Sequence, residues 1–246
     1  MRTTRPILLA AILAMCVACA DGREDDLASE SASALSTATI TKTRVQRSVS
    51  ASAPEGAREV CEIDVEHQVV SGHPNAAIQT ALNRALEPAE ASMQSCDEPI
   101  DVRQSSVVLL RSGDVVVIRE LRSTSLTVGA DSWSRVTRES EERISKNVSL
   151  ARGTVLRLAD VVRPSRIDDL RALLLTRIDG RDDRAGRAAR AAYREDAASW
   201  GFELEREGIR IFASGDSADA GELVRYDLLG SMLSPSSPAA ALWRGR

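Results

Sequence analysis

Histidine and carboxylate side chains occur together at one place in this sequence, Asp64-Val65-Glu66-His67, with His73 a few residues later. A metal site or a general base requires such a cluster. Because successive side chains of a β-strand point to opposite faces, Asp64 and Glu66 are expected on one face and His67 on the other. The pattern therefore favours a solvated strand edge over a shared metal site, and His73 is expected in a turn.

Other catalytic patterns are absent from the sequence. The chain has no Gly-x-Ser-x-Gly elbow, and its two histidines leave few bases for a catalytic triad. It has no glycine-rich phosphate loop either. We therefore expect no catalytic residues and no cofactor.

A row of arginines is the other candidate for chemistry. Its members recur every three or four residues through an alanine-rich segment: Arg184, Arg187, Arg190 and Arg194. In a helix they would lie along one side and form a binding surface for an anionic partner, such as lipid headgroups or an acidic polymer. Acidic residues interleave with the run, at 182–183 and 195–196, and Gly186 weakens a helix there. A mixed, solvated face is therefore the favoured interpretation.

The first twenty residues predict export from the cytoplasm. Arg2 and Arg5 precede an apolar run from Ile7 to Val17, and small residues follow it. This run is shorter than the roughly 20 residues that cross a bilayer, so an uncleaved membrane anchor is disfavoured. Residues 1–19 are therefore interpreted as an export signal.

The end of this signal resembles the bacterial lipobox. Val17-Ala18-Cys19 places small residues before a cysteine, which predicts that Cys19 is acylated and becomes the new N-terminus. Cleavage after Ala20 is the alternative, because Ala18 and Ala20 also form a small-x-small site. The first scheme predicts a lipoprotein that is anchored to the membrane of the cell envelope and faces the periplasm or the exterior. The second predicts a secreted, soluble protein.

Two of the four cysteines remain inside the folded part under either scheme. Cys16 leaves with the signal, and Cys19 is either lipidated or removed. Thiols usually pair in an oxidising compartment, so Cys61 and Cys96 are expected to form a disulfide, with two buried reduced thiols as the alternative. Such a bond stabilises the fold by roughly 3–4 kcal/mol in the chain-entropy model. No Cys/His spacing in the folded part supports a zinc site.

Composition limits the classes of partner and the kind of core. The net charge of −4 becomes about −6 when Arg2 and Arg5 leave with the signal, so nucleic acid is not an expected partner. Aromatic residues make up 3% of the chain, so the core must consist mainly of alanine, valine, leucine and isoleucine. The length after the signal suits a single domain.

Residues 20–57 are predicted to form a flexible, Ser/Ala-rich tether. Its residues are small and polar, and they bury too little apolar area to offset the loss of chain entropy. A β-prone piece, Thr39–Val49, lies inside it and is either an edge strand or part of the linker. The linker is slightly favoured.

Apolar spacing predicts a single α+β domain over residues 58–234, a mostly antiparallel sheet with two main helices packed on it. Residues 235–246 are predicted to be a disordered tail. The predicted elements are a strand over 60–69, a helix from Asn75 to Ser95 that kinks or breaks at Pro88, a hairpin over 101–126, a strand from Val136 to Leu150, a helix from Ser165 to Ile178 capped by Ser165, a hairpin over 202–211 and a strand from Glu222 to Leu228. A helix over Arg138–Ser145 is the alternative within the long middle strand.

Several short motifs accompany this order of elements. They are Ser71-Gly72-x-Pro74-Asn75, a helix that contains Asn83, the segment Asn147-x-Ser149-Leu150-x-x-Gly153, and Phe202-x-Leu204 before Glu207-Gly208-Ile209. With the order of elements, they resemble the extracytoplasmic domain of RsiV-type anti-sigma proteins, which also occurs beside the catalytic domain of PdaC-type peptidoglycan deacetylases. The resemblance covers about Glu59 to Leu233.

The resemblance implies a binding module of the cell envelope that is not an enzyme. We expect neither a metal-binding catalytic domain beside it nor a sigma-binding segment before the signal. In the anti-sigma relatives this domain recognises lysozyme, so the expected partner is a protein such as lysozyme or a cell-wall component. A secreted hydrolase that acts on an envelope polymer is the alternative function. The sequence predicts no oligomeric state.

Overall fold

The computed structural model describes residues 38–51, 60–96, 100–128, 136–181, 183–213 and 221–244. The strands in these ranges are β1 (Thr39–Ala51), β2 (Val60–Ser71), β3 (Ser95–Cys96), β4 (Ile100–Ser112), β5 (Val115–Val128), β6 (Val136–Ser149), β7 (Thr154–Leu156), β8 (Trp200–Leu204), β9 (Gly208–Ala213) and β10 (Glu222–Arg225). The α-helices are α1 (Ala76–Leu86), α2 (Ala89–Ser92), α3 (Leu158–Val161), α4 (Ile167–Ile178), α5 (Arg184–Arg194), α6 (Tyr226–Leu229) and α7 (Ala241–Arg244).

The strands form two sheets. A large sheet has seven strands in the order β3-β1-β2-β4-β5-β6-β7, and a small sheet has three in the order β10-β9-β8. Neighbouring strands are antiparallel except at two places, where β2 pairs with β4 and β1 with β3 in parallel. The predicted α+β class with a mostly antiparallel sheet is confirmed.

The predicted central hairpin is confirmed and continues into a third long strand. β4 and β5 pair on either side of Gly113, whose φ of +55° lies in the left-handed region that glycine adopts without strain. β6 pairs with β5 along its whole length, from Val136 opposite Val128 to Ser149 opposite Val115. The strand prediction for this charged segment is therefore confirmed over its helical alternative.

The helix predicted after the first strand is also confirmed, together with its break. The Asn75 side chain caps α1 by accepting hydrogen bonds from the N–H groups of Ala77 and Ile78. α1 ends at Leu86, because Pro88 has no N–H for a helical hydrogen bond and disfavours helical geometry in the residue before it. The short helix α2 begins directly after this proline.

The preference for a linker over Thr39–Val49 is wrong. β1 covers this segment and pairs with β2 over almost its full length. Val45 and Val49 lie on the same face of β1 and pack beside Ile63 in one core cluster. A strand whose alternate side chains join the core is part of the domain, so the part of the predicted 20–57 tether from residue 39 to residue 51 is folded.

The prediction of a disordered tail over 235–246 is wrong for its described part. A 3₁₀ turn at Pro238–Ala240 leads into α7, where Leu242 is buried. The Trp243 ring packs on Tyr226 with the ring centroids 5.4 Å apart. Proline here begins a short helix, since it is tolerated in the first turn, and the apolar side chains that follow return to the core.

The start of α4 differs in detail from the prediction. A 3₁₀ turn at Pro164–Arg166 precedes the helix, and Arg166 occupies the cap position without a side-chain hydrogen bond. Ser165 is therefore not the cap. Asp168 and Asp169 lie in the first turn, where negative charge is favourable.

The predicted disulfide is present in the structure. Cys61 in β2 and Cys96 in β3 are bonded across a sequence separation of 35 residues, and both are buried. Ala91 and Met93, which lie between α1 and Cys96, pack on the same core cluster as Ile63. The bond therefore ties the end of the α2 region to the first half of β2.

The helices and the two sheets form three layers. α1 and α2 cover one face of the large sheet, where Leu82 and Leu86 pack on Val116 and Ile118. The small sheet and α4 cover one end of the opposite face and enclose the largest core cluster, which includes Val117. The remainder of this opposite face is solvent-exposed in the described part of the chain.

Two asparagine side chains form backbone hydrogen bonds that a neighbouring strand would otherwise form. The Asn83 amide in α1 accepts a hydrogen bond from the N–H of Val70 at 2.7 Å and donates one to its carbonyl at 3.0 Å. The Asn147 amide in β6 donates to the carbonyl of Phe202 at 2.7 Å and accepts from the N–H of Leu204 at 2.9 Å. These amides provide hydrogen-bond partners for backbone N–H and C=O groups at unpaired strand edges. They also connect α1 to β2 and β6 to β8.

A buried carboxylate connects the two sheets. Glu203 in β8 is fully buried and accepts hydrogen bonds from Nε and Nη2 of Arg119, at 2.8 and 2.6 Å. Arg143 donates two more, at 3.2 and 2.6 Å, and the Ser145 hydroxyl donates one at 2.6 Å. The Arg143 guanidinium also lies 4.2 Å from the centroid of the Phe212 ring. Side chains of β5 and β6 thus hold β8 in place.

Glu203 keeps its charge although it is buried. Burial by itself raises the pKa of a carboxyl. The hydrogen bonds from Arg119, Arg143 and Ser145 outweigh this effect and lower the pKa of Glu203 to about 2, and the bond to Glu203 raises the pKa of Arg119. Because the pKa is lower in the folded than in the unfolded protein, ionised Glu203 stabilises the fold above its unfolded pKa.

We expect the free energy of unfolding to fall as the pH decreases from about 4.5, the ordinary pKa of glutamate, to about 2. The pKa difference corresponds to about 3 kcal/mol at neutral pH. Glu203→Gln leaves two guanidinium groups without their carboxylate, so it should cost about 3–5 kcal/mol and remove this part of the pH dependence. Urea unfolding curves between pH 7 and pH 2 measure both effects.

Glu205→Gln is the matched control. Glu205 pairs with Arg210 at 2.6 Å, and both side chains are partly exposed. Solvent screens such a pair, so its loss should change the free energy of unfolding by less than about 1 kcal/mol. Equal losses for the two variants would show that Glu203 does not connect the sheets.

Candidate functional site

The exposed part of the large sheet presents a broad surface, which we call the open face. It consists of side chains of β1, β2, β4, β5 and β6. They lie on the same face of the large sheet as the small sheet does, but the small sheet does not cover them. One row across these five strands shows its composition: Gln46, Asp64, Arg103, Ser123 and Glu141 lie opposite one another. Neighbouring strands are about 4.8 Å apart, so this row is roughly 19 Å long.

Opposite charges at one side of the open face pair across strands. Arg44 donates to both carboxylate oxygens of Asp64, at 2.7 Å from Nε and 2.6 Å from Nη2. Lys42 Nζ lies 3.0 Å from the Glu66 carboxylate. The hydrogen bond from Arg44 lowers the pKa of Asp64 and raises that of Arg44. Cations of β1 thus compensate carboxylates of β2.

Arg103 in β4 lies beside these pairs. Its side chain is exposed, and it makes no hydrogen bond or ion pair with the residues that the structure describes. Its charge contributes to the lowered pKa of Asp64, after the larger effect of the hydrogen bond from Arg44. Since Arg44 already donates to both oxygens of Asp64, the guanidinium of Arg103 is available to a ligand.

A shallow depression surrounds Arg103, and we call it the trough. Its volume is about 540 Å³. A second depression of about 610 Å³ lies over β1, β2 and β4 and shares Asp64 and Arg103 with the trough. The walls of the trough include Arg44, Asp64, Ser105, Leu121, Ser123 and Glu141.

Apolar side chains are exposed at the end of the trough that is nearest the small sheet. Leu121 is 47% exposed and Val107 is 50% exposed, and the two are diagonal neighbours on β5 and β4. Leu109, at a β-bulge between Val108 and Leu110, is 41% exposed. An apolar patch beside paired charges is typical of a surface that binds a partner.

Two further ionisable groups with shifted pKa values, Glu120 and His67, lie on the helix-covered face of the sheet. Burial raises the pKa of Glu120, which pairs with Lys146 at 3.1 Å, and Lys146 also donates to the carbonyl of Leu86 at the end of α1. Burial lowers the pKa of His67, whose Nδ1 forms no hydrogen bond with the residues that the structure describes. Neither group lines the trough.

The structure separates the histidine and carboxylates of the segment 64–67. Asp64 and Glu66 lie on the open face with their cationic partners, whereas His67 is buried. In the described part of the chain, no three His, Cys, Asp or Glu side chains are arranged to hold a metal ion. His73 lies in the turn where it was expected, and its Nε2 lies 3.2 Å from the carbonyl oxygen of Leu150.

The arginine row lies on helix α5. Arg187 and Arg194 are exposed, and Arg190 donates to the carbonyl of Arg181 at 2.7 Å, while the side chain of Arg184 lies outside the described part. Asp183 caps this helix by accepting from the N–H of Gly186 at 2.6 Å. No observation identifies a ligand there, so the basic surface stays a prediction.

A cavity of about 800 Å³ lies between the layers and is not the candidate site. Buried side chains that hold the layers together form much of its wall, including Arg143, Phe202 and Phe212. A Cβ at Gly201, which also lines it, would lie 2.2 Å from the Phe212 ring, so the strands approach closely here. Exposed residues such as Arg157, Asp168 and Asp196 also line it, so the cavity opens to solvent at its rim.

The export signal and Cys19 lie outside the described residues. Among the residues that are described, no helix has the length and apolar character that a membrane span requires. The disulfide between Cys61 and Cys96 is consistent with an extracytoplasmic domain.

Sequence reasoning missed the open face. The available signal is the alternation of β4, in which Arg103, Ser105 and Val107 share one face and Val102, Gln104 and Ser106 share the other. Polar side chains on one face of a strand normally indicate only that this face is exposed to solvent. Only the position of the small sheet shows that this face ends in a trough with apolar side chains.

Comparisons with known proteins identify the fold. The sequence matches no protein-family model and no curated protein. Among solved structures, a DUF3298 family member from Bacteroides fragilis is 13% identical with a TM-score of 0.59, and the match covers 85% of this chain and 98% of that one. A DUF3298 family protein from Pseudomonas aeruginosa is 15% identical with a TM-score of 0.47 over 85% of this chain and 97% of that one. The chain has a DUF3298-like fold.

Asp64→Asn is expected to change the free energy of unfolding by less than about 0.5 kcal/mol. The side chains of Arg44 and Asp64 are 54% and 33% exposed, and exposed pairs contribute little to stability because water screens them. Urea unfolding at pH 7 measures the change, with Glu203→Gln as the sensitive reference. A loss of several kcal/mol would mean that these charges serve the fold and not a ligand.

Proposed function

We propose that this protein is a non-enzymatic binding module of the bacterial cell envelope, and that its open face binds a protein or a cell-wall ligand. The observation that carries this proposal is the trough with its exposed Arg103 beside exposed apolar side chains. Charge and apolar area on one rigid sheet are what a specific binding surface requires.

Hydrolysis of an envelope polymer is the less favoured function. A glycosidase needs two carboxyls on either side of the scissile bond, one of them with a raised pKa. Glu120 has a raised pKa, but it is 1% exposed and lies beneath the helices. A substrate in the trough would not reach it.

The resemblance to RsiV-type domains supports the same proposal. The DUF3298-like fold extends over 85% of the chain, which agrees with a resemblance that covers nearly all of the folded part. Two of the asparagines in the motifs, Asn83 and Asn147, hold open strand edges in this structure. Because RsiV-type domains recognise lysozyme, lysozyme is the first protein ligand to test, and purified peptidoglycan is the first cell-wall ligand.

The location follows from the same reasoning. The signal sequence and the disulfide favour a compartment outside the cytoplasm, where thiols are oxidised. Acylation of Cys19 would attach the domain to a membrane through the segment that precedes β1.

We expect Leu121→Ser to weaken binding to lysozyme or to insoluble peptidoglycan at least fivefold, because it removes apolar area from the wall of the trough. Leu228→Ser is the matched control, since Leu228 is 48% exposed and belongs to α6, away from the open face. Co-sedimentation with peptidoglycan and surface plasmon resonance with lysozyme measure the two affinities. Equal affinities of both variants, or no binding by the native protein, would refute the proposal.

We also expect the mature protein from a membrane fraction to have the mass of a chain that begins at an acylated Cys19. Cys19→Ser removes the thiol that carries the lipid, so this variant should not be found in the membrane fraction as an acylated protein. Intact-mass spectrometry before and after reduction and alkylation measures both the lipid and the two disulfide thiols. An unmodified chain that begins at Asp21 in the soluble fraction would show that the protein is secreted.

A further inference from the structure

Arg103 is the anion-binding group of the trough. A guanidinium has five N–H donors, and none of those on Arg103 is used by a described residue. Ser123 lies directly opposite it in β5, and Ser105 lies two residues further along β4 on the same face. An exposed guanidinium between two hydroxyls suits a carboxylate, which arginine binds through two parallel hydrogen bonds.

Glu141 provides a contact of opposite charge in the same row. It is separated from Arg103 by Ser123 alone, which corresponds to roughly 10 Å between their backbones. The small side chain of Ser123 leaves the space between the two charges open. A carboxylate has about four lone-pair sites, so Glu141 can accept a ligand ammonium in addition to its own contacts.

The remaining walls favour a peptide over a sugar or a protein surface. The exposed side chain of Leu121 can contact an apolar side chain of the ligand. No aromatic ring on which a sugar could stack lines the trough within the described residues. A volume of about 540 Å³ is that of a small-molecule site and holds a few amino-acid residues.

We propose that the trough binds a short peptide of the cell-wall stem type, which carries free carboxylates and a free ammonium group. One carboxylate of the peptide lies on Arg103, its ammonium group lies on Glu141, and an alanine methyl group contacts Leu121. This inference rests on the proposed function and names the ligand of the open face.

Isothermal titration calorimetry with the full mature chain tests the proposal. The probes are the tetrapeptide N-acetyl-L-Ala-γ-D-Glu-L-Lys-D-Ala, whose only ammonium group is that of lysine, the same peptide with both carboxyls amidated, and the same peptide with its lysine acetylated. The native protein is expected to bind the free peptide roughly two- to fivefold more tightly than either modified form, as expected for the loss of one exposed charged contact.

Two variants assign the contacts. Arg103→Gln should bind the free and amidated peptides with equal affinity, and Glu141→Gln should bind the free and acetylated peptides with equal affinity. Arg84→Gln is the matched control, because Arg84 is an exposed arginine on α1, on the other side of the sheet, and should retain both preferences. These ratios compare ligands on one protein sample, so a partly unfolded variant does not distort them.

The outcomes separate this inference from the proposed function. If Leu121→Ser weakens binding to peptidoglycan or lysozyme while Arg103→Gln keeps the preference for the free peptide, the open face binds a ligand but Arg103 does not hold its carboxylate. Failure of the native protein to bind the free peptide also refutes the inference. A second control peptide consists of four L-residues joined by ordinary peptide bonds. If it binds as tightly as the stem peptide, the claim that the ligand is a cell-wall peptide is refuted.

Discussion

The burial of one carboxylate determines how the two sheets fit together. An ionised carboxyl group that leaves water without partners costs several kcal/mol, so Glu203 must lie where cations can reach both of its oxygens. Those cations come from β5 and β6, at Arg119 and Arg143. The small sheet can therefore pack at one position along these strands, and the position also decides where the large sheet stops being covered. The open face begins where this network ends.

β6 carries the residues that make this docking specific. Arg143, Ser145 and Asn147 alternate along the strand, so all three point to the same face. The first two bind the Glu203 side chain, and the third satisfies the backbone of β8 on both sides of it. Because an open strand edge needs partners for its N–H and C=O groups, an amide side chain in this row is as important as the charges.

Local features of this fold could be predicted from the sequence, and long-range ones could not. The break at Pro88 and the turn at Gly113 depend on the chemistry of single residues, and the disulfide depends on the compartment. The sequence did not identify β1 as a strand of the domain, because its alternate valines are only partly buried and most of its other residues are polar, as in a linker. The partners of Glu203 are 84 and 60 residues away in the sequence, and no local pattern relates them. The trough could not be predicted either, since it depends on where the small sheet ends.

The charge arrangement of the open face explains how a polar sheet surface can be selective. Arg44 and Asp64 are already paired with each other, so a ligand that covers them replaces few of their hydrogen bonds. The pair also keeps the surface rigid and soluble. A ligand gains most from groups that have no partner within the protein. On this face the exposed guanidinium of Arg103 makes no hydrogen bond or ion pair with the described residues, and Leu121 adds apolar area next to it. Selectivity then comes from Arg103, from the opposite charge of Glu141 in the same row and from one apolar contact, beside charges that are already paired.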